Sequence, residues 1–215
     1  MIKTKHGKIY YIFYKFLKFI VSCIFKILFR VEVLNSHNIP KEGRIVLCSN
    51  HISYIDPVII GVYFPRYIYF MGKKELFGNK FLASVITFFN SFPVNRVALD
   101  RKAINTAIKV LKDDQVLGLF PEGTRSVDGI VREGRKGIGL ISILGESPIL
   151  PIAIIGANKI IQKPHKRIFF PKIKINIGGI ISTSDIIRKY QKKEAINIIV
   201  EKTMSSINKL HEKIN

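Results

Sequence analysis

Cysteine is nearly absent from this 215-residue chain, which has only Cys23 and Cys48. Two are too few for a disulfide framework, and these lie too far apart for a C-x-x-C metal or redox pair, so a reducing compartment is the simplest setting. Acidic residues are also scarce. Fifteen Asp and Glu face 35 Lys and Arg, a formal net charge of +20, which implies anionic company: nucleic acid, an anionic membrane surface or phosphorylated substrates. No internal repeat or low-complexity linker divides the chain, and its length fits one compact unit better than two. A long apolar run is missing as well. Within residues 9–29 the lysines at 15, 18 and 26 leave Phe19 to Phe25 as the longest uninterrupted stretch, whereas a bilayer span needs ~20 mostly apolar residues. Each lysine near the bilayer centre would cost ~2.5–3.5 kcal/mol. No small-residue cleavage site follows, so the segment reads as retained rather than as a signal peptide.

What this segment does contain is an amphipathic pattern. At about 100° per residue, Lys8, Lys15, Lys18, Ser22, Lys26 and Arg30 fall in one sector roughly 120° wide, shared with Tyr11, Phe19 and Phe29. The rest of the wheel holds Ile9, Phe13, Phe16, Leu17, Ile20, Ile24, Ile27 and Leu28. The expectation is an amino-terminal unit over 1–34, a membrane-interfacial helix or helical hairpin, its apolar face in acyl chains and its cations on anionic lipid. The alternative is a helix or hairpin packed on the domain.

Beyond it, 47% apolar and 23% charged residues suffice for a core. Ile45 to Cys48, Tyr67 to Met71, Val116 to Phe120, Ile149 to Ile155 and Ile173 to Ile177 read as strands. Lys80 to Phe89, residues 101–112 and the stretch from Asp185 to Ile214 read as helices. Strands and helices alternate, so the class is α/β, with residues 35–215 as its domain.

Two constellations carry chemistry. Asn50-His51 followed by Asp56-Pro57 places an imidazole and a carboxylate five residues apart, just past a strand. A carboxylate that accepts Nδ1–H fixes the tautomer and leaves Nε2 free to take a proton from a hydroxyl. Taken alone the pair is a weak signal, since a lone histidine is more often structural. It is a poorer metal site still: one His and one Asp are too few, and His6, His37, His165 and His211 have no ligand-like spacing to join them. The second constellation is Phe120-Pro121-Glu122-Gly123-Thr124-Arg125-Ser126. A glycine lets backbone approach an anion, a hydroxyl donates to it, and a guanidinium grips phosphate oxygens in bidentate fashion. An ordinary turn after a strand is the bland reading of any one of these residues, but together they suit phosphate.

In this order and separation the two blocks resemble the NHxxxxD and FPEGTRS blocks of the glycerolipid acyltransferase family. Lys73-Lys74-Glu75-Leu76-Phe77 resembles the family's KxELF segment. Pro93-Val94-Asn95-Arg96 resembles its VDR segment, with Asn95 in place of Asp, and Leu150-Pro151-Ile152-Ala153 resembles its fourth block. Lys136-Gly137 is similar to its phenylalanine-lysine-x-glycine segment, with Gly134 where Phe is usual. The resemblance implies a mixed central sheet flanked by helices. It also implies transfer of an acyl group from an acyl-CoA or acyl-carrier-protein thioester to the sn-2 hydroxyl of lysophosphatidic acid (1-acyl-sn-glycerol 3-phosphate), giving phosphatidic acid. In that reading His51 is the general base and Asp56 orients it. Glu122, Gly123, Thr124 and Arg125 hold the acceptor, with Lys73 and Arg96 as further cations and Asn50 and Ser126 in support. No metal or other cofactor is expected. The implied partners are lysophosphatidic acid, the thioester donor and an anionic membrane surface, which would place the protein at the cytoplasmic face of the cell membrane, peripheral or monotopic. Acylation of glycerol 3-phosphate or of another lysolipid is the near alternative. A basic nucleic-acid-binding protein is the remote one, supported by the charge alone.

Overall fold

A computed structural model of the chain describes residues 7–95, 100–126, 128–162 and 167–214. Its centre is a seven-stranded sheet ordered β1-β9-β6-β2-β5-β3-β4. The strands are β1 (Glu32–Leu34), β2 (Ile45–Ser49), β3 (Ile68–Lys73), β4 (Phe92–Val94), β5 (Val116–Leu119), β6 (Ile149–Ile155) and β9 (Lys174–Ile177), while β7 (Ile161–Gln162) and β8 (Arg167–Ile168) form a separate small hairpin. Strands β6, β2, β5, β3 and β4 run parallel; β9 opposes β6 and carries β1 alongside it. The sheet is therefore mixed, as expected. The helices are α1 (Lys8–Phe29), α2 (Asp56–Tyr63), α3 (Lys80–Phe88), α4 (Arg101–Lys112), α5 (Gly137–Leu144), α6 (Ser184–Lys189) and α7 (Lys192–Glu212).

Strand β2 shows why the sheet sits between two layers. All five of its residues are buried, and alternate side chains leave opposite faces of a strand. Ile45 and Leu47 join a core with Ile59 and Ile60 of α2, whereas Val46 and Cys48 join a core with Ala107 and Leu111 of α4 and Ile199 and Ile207 of α7. Burial on both faces produces the continuous apolar runs visible in the sequence. The edge strands β1 and β4 lack such a run, and neither they nor the short helices α2 and α5 are predicted from the sequence. The carboxyl-terminal helix is two, because Tyr190 is extended at φ −125° and ψ 151° and ends α6 before α7 begins.

The boundary expected between residues 34 and 35 falls inside the sheet's edge. Glu32–Leu34 pairs with β9, and Phe29 and Val31 belong to the core. The amino-terminal segment is one helix, α1, rather than a hairpin, and it packs on the domain. Tyr14 is buried against the rings of Tyr67 and Phe89, and the Tyr10 hydroxyl donates to the carbonyl of Phe88 at 2.7 Å. Lys18 and Ser22, expected in the lipid-facing cationic stripe, face the protein instead. The Lys18 ammonium donates to the Phe64 carbonyl, and Tyr63 donates to the Ser22 carbonyl at 3.0 Å. The carboxyl end of α2 supplies the reason: its last carbonyls lack helical partners and carry partial negative charge, so they attract a cation. Burial in turn pulls the Lys18 ammonium down to about 8. The opposite face of α1 is left open, with Ile9 83% exposed and Phe13, Phe16, Ile20 and Ile27 exposed beside it. Among the described residues no helix is long and apolar enough to cross a membrane.

Gly118 in the middle of β5 lets Phe70 of β3 lie across the sheet. A Cβ there would stand 2.4 Å from the Phe70 ring, and that ring stacks in turn on Phe120 at 6.0 Å and 11°. Gly118→Ala should therefore lower stability by about 1–3 kcal/mol through overpacking, read from the midpoint of chemical denaturation. An unchanged midpoint would show that Phe70 gives way without strain.

Candidate active site

Parallel pairing of β2 with β5 and of β5 with β3 brings the carboxyl ends of these strands to one edge of the sheet. His51 leaves β2 there, and Phe120 leaves β5 beside it. The imidazole Nδ1 of His51 lies 2.8 Å from Oδ2 of Asp56. The same oxygen accepts from the backbone N–H of Ile52 and of Ser53, both at 2.7 Å. Asp56 opens α2 with Pro57 behind it. That placement is favourable, because a carboxylate suits a helix amino terminus and proline needs no N–H partner in the first turn. Asp56 is fully buried, and its Oδ1 has no partner among the described residues. With Nδ1–H given to Asp56, the lone pair of the neutral ring sits on Nε2. Nε2 has no partner among the described residues and is not sealed off, since the side chain keeps 10% of its surface open.

The heptad starting at Phe120 wraps around this histidine. Glu122 Oε1 accepts the His51 N–H at 3.0 Å, and the His51 carbonyl accepts the Ser126 N–H at 2.7 Å. The Phe120 ring stacks on the imidazole with centroids 4.0 Å apart and planes 21° apart. Gly123 turns the chain at φ +69°, the left-handed region that favours glycine. Arg125 lays its guanidinium over the Tyr54 ring, 3.3 Å from the centroid, a cation–π contact that holds the group flat at the surface. Thr124 is exposed next to it. The turn thus presents a cation and a hydroxyl beside an imidazole whose free nitrogen reaches solvent.

The other predicted residues are placed as follows. Asn50 extends the sheet: its side-chain amide donates to the Ile154 carbonyl at 2.9 Å and accepts the Ile154 N–H at 2.8 Å. The Ser126 hydroxyl bonds Asp128 and the Ile130 carbonyl, closing the loop on itself. Lys73 ends β3 on the same sheet edge and pairs with Glu75 at 3.3 Å, both exposed. Arg96 lies outside the described residues. Glu122 is only 4% exposed, and its Oε2 has no partner among the described residues. Its carboxyl sits behind the histidine backbone. Burial pushes it up to about 7; the His51 and Arg132 N–H groups and the Arg132 charge oppose that, and the Asp56 charge adds to it. The sequence reading missed the roles of Phe120 and Tyr54. Both lie inside the quoted blocks, and a flat ring next to an imidazole or a guanidinium was the available signal. Among the described residues no cluster of three or more His, Cys, Asp or Glu is placed to hold a metal ion.

A histidine–aspartate pair clamped to a glycine turn that carries a guanidinium, at the carboxyl edge of a mixed α/β sheet, defines a class. The chain belongs to the acyltransferase family, whose model, described as Acyltransferase, matches residues 30–155. It is 30% identical over 204 residues to the 1-acyl-sn-glycerol-3-phosphate acyltransferase of Bacillus subtilis, covering 94% of this chain and 98% of that protein. To the protein of the same name from Borreliella burgdorferi it is 27% identical over 183 residues, 83% of this chain and 72% of that one. The crystal structure of the 1-acyl-sn-glycerophosphate (LPA) acyltransferase PlsC from Thermotoga maritima superposes with a TM-score of 0.71 at 26% identity, covering 92% of this chain and 79% of that one. The protein is an acyltransferase.

The raised carboxyl of Glu122 has a consequence for stability. Its folded value, about 7, lies above the ordinary 4.5, so the folded state binds the proton more tightly than the unfolded state. Its contribution is present in full below about pH 4.5 and is lost as pH rises towards about 7. Glu122→Gln keeps an oxygen to accept the His51 N–H and removes this titration. The difference in melting temperature, variant minus wild type, should therefore grow from pH 5 to pH 8. A difference that stays flat across that range would show that the carboxyl is not held protonated by the fold.

Proposed function

We propose that the enzyme acylates the sn-2 hydroxyl of 1-acyl-sn-glycerol 3-phosphate, forming phosphatidic acid for phospholipid synthesis. The observation that carries this reading is the junction of the two loops. A buried carboxylate fixes the proton of His51 on Nδ1, and the backbone of the same residue is bonded to the turn that carries Arg125. An alcohol is a weak nucleophile near neutral pH and needs its proton removed as it attacks. His51 Nε2 takes that proton while the sn-2 oxygen adds to the thioester carbonyl. Asp56 steadies the imidazolium that results. Collapse of the tetrahedral intermediate breaks the C–S bond, and the imidazolium returns the proton to the departing thiolate. Atoms balance without a covalent enzyme intermediate and without a metal or prosthetic group. Arg125 and Thr124 hold the acceptor phosphate, and Lys73 adds positive charge at the same edge. The donor is a thioester of coenzyme A or of an acidic carrier protein, either of which the +20 charge favours in encounter. The shared name of the relatives supports the choice of acceptor.

His51→Ala should lower the rate of acyl transfer by at least about 10²–10⁴ while the melting temperature stays close to wild type. Near-normal turnover would remove His51 from the role of base. Radiolabelled product from lysophosphatidic acid, glycerol 3-phosphate and other lysolipids then fixes the acceptor. A preference for glycerol 3-phosphate would overturn the sn-2 assignment.

The same reading places the protein on an anionic membrane surface as a peripheral or monotopic protein. Helices α1 and α3 are joined through the Tyr10–Phe88 and Phe13–Phe88 rings, 5.2 and 5.8 Å apart. Together they leave an apolar surface open in which Ile9, Phe13 and Phe16 of α1 accompany Phe81, 80% exposed, and Val85 of α3. A patch of this kind rimmed by Lys8, Lys15 and Lys26 suits a lipid interface. Because Tyr14 and Phe29 belong to the fold, point changes test this better than deletion. Ile9→Ser with Phe16→Ser and Phe81→Ser, at exposed positions outside the ring contacts that join the helices, should release the protein from vesicles containing anionic lipid without lowering its melting temperature. Undiminished co-sedimentation with those vesicles would rule the patch out as the docking surface.

A further inference from the structure

The αL turn at Gly123 has an occupant. A Cβ added to Gly123 would lie 2.6 Å from Nε and 2.9 Å from both Cδ and Cζ of Arg135. The arginine side chain therefore runs across the turn, in the space a side chain at 123 would take. Its backbone is fixed independently, since the Arg135 N–H donates to the Pro121 carbonyl at 2.9 Å. Glycine at 123 thus does two things: it permits φ +69° and it seats a guanidinium on the turn.

The partners of the other arginines make this placement informative. Arg44 and Arg132 are paired with Asp114 and Asp128, while Arg30 and Arg66 donate to backbone carbonyls. The side chains of Arg101, Arg125, Arg135, Arg167 and Arg188 have neither a carboxylate nor a carbonyl partner among the described residues, and of these Arg125 and Arg135 belong to the Gly123 turn. Two guanidinium groups are carried on one turn whose acid, Glu122, is buried against the His51 N–H instead of paired to them, and a dianion supplies the missing negative charge.

We propose that Arg135 is a second phosphate-binding residue of the acceptor site, gripping the phosphate monoester together with Arg125 on the Gly123 turn. The proposal rests on the acceptor reading given above and sharpens it. A monoester carries close to two negative charges near neutral pH and three terminal oxygens, enough for two guanidinium forks. A phosphodiester headgroup has one charge and two free oxygens. The pair therefore selects lysophosphatidic acid over lysolipids whose phosphate bears a further alcohol. Inspection of the sequence singled out Lys136 and passed over Arg135, because nothing local to that stretch shows that it folds back on residue 123.

Arg135→Ala and Arg135→Lys, with Arg125→Ala for comparison, test this in steady-state kinetics with lysophosphatidic acid. The expected result is a KM for the acceptor raised on the order of 10- to 100-fold by Arg135→Ala, the loss of one or two charge-assisted hydrogen bonds, with kcat changing far less. Arg135→Lys, which keeps the charge and loses the fork, should fall between. Inorganic phosphate, used as a competitive inhibitor, should weaken in parallel with the rise in KM. An unchanged KM in Arg135→Ala, or a fall in kcat alone, overturns the proposal. A raised KM in Arg125→Ala alone also overturns it while leaving the acceptor reading intact. Failure of the wild-type enzyme to acylate lysophosphatidic acid at all would instead overturn that reading.

Discussion

The backbone of His51 is held from both sides by a segment that begins about seventy residues further along the chain. Its N–H goes to Glu122, 71 positions away, and its carbonyl receives the Ser126 N–H. Both bonds depend on β2 and β5 being parallel neighbours, because only then do the loops after them leave the same edge, about 4.8 Å apart. A side chain swings through rotamers, but a residue whose N–H and C=O are both fixed has few backbone positions to adopt. The imidazole is then set by three contacts in different directions: Asp56 on Nδ1, the Phe120 ring on its face, and the backbone clamp behind it. Only Nε2 is left open. Orientation of this kind is where a general base gains most, since misplacement by about 1 Å costs on the order of a hundredfold in rate.

The clamp places two carboxyl groups under one small loop, and their surroundings differ. Oδ2 of Asp56 collects three N–H donors. Glu122 is buried with Oε2 unpartnered among the described residues, and desolvation outweighs the donors that favour its charge. Ionisation strengthens the hydrogen bond to the His51 N–H but leaves more charge buried, so the two effects oppose each other near neutral pH. An acid in this position suits a support for the base better than a neighbour for a phosphate, which would meet its charge with repulsion.

How much of this was legible depended on what each element packs against. The strands buried on both faces, β2, β5 and β6, announce themselves as apolar runs and were found nearly to the residue. Edge strands β1 and β4 have three residues each and only partial burial, too short for any period to show. Helix α5 begins Gly-Ile-Gly, and Gly139 is there because α7 crosses it: a Cβ would meet the Ile196 carbonyl at 2.8 Å. No local pattern betrays a crossing of that kind. The His51 and Asp56 spacing was readable because five residues suffice to turn from a strand end into the first turn of a helix. That Arg125 lies on Tyr54, and that Asn50 closes onto Ile154, are facts of tertiary neighbourhood.

Helix α1 illustrates the same division with a sharper outcome. A wheel of its residues yields one apolar arc and one basic sector, and a two-sided medium, lipid below and water above, is the obvious partner. The fold adds a third side. Tyr10, Tyr14, Lys18 and Phe29 turn towards the protein, a mixture of aromatic and cationic groups that no wheel would group as a core face. Tyrosines serve there because Tyr14 buries its ring against Tyr67 and Phe89, while Tyr10 packs its ring and gives its hydroxyl to the Phe88 carbonyl. Lys18 serves because its carbon stem packs while its ammonium meets the open carbonyls at the end of α2. With that side satisfied, most of the aliphatic and phenylalanine arc stays exposed among the described residues. The two readings of this segment, packed on the domain or lying on lipid, are therefore compatible: docking on the protein is what fixes the direction in which the apolar arc faces.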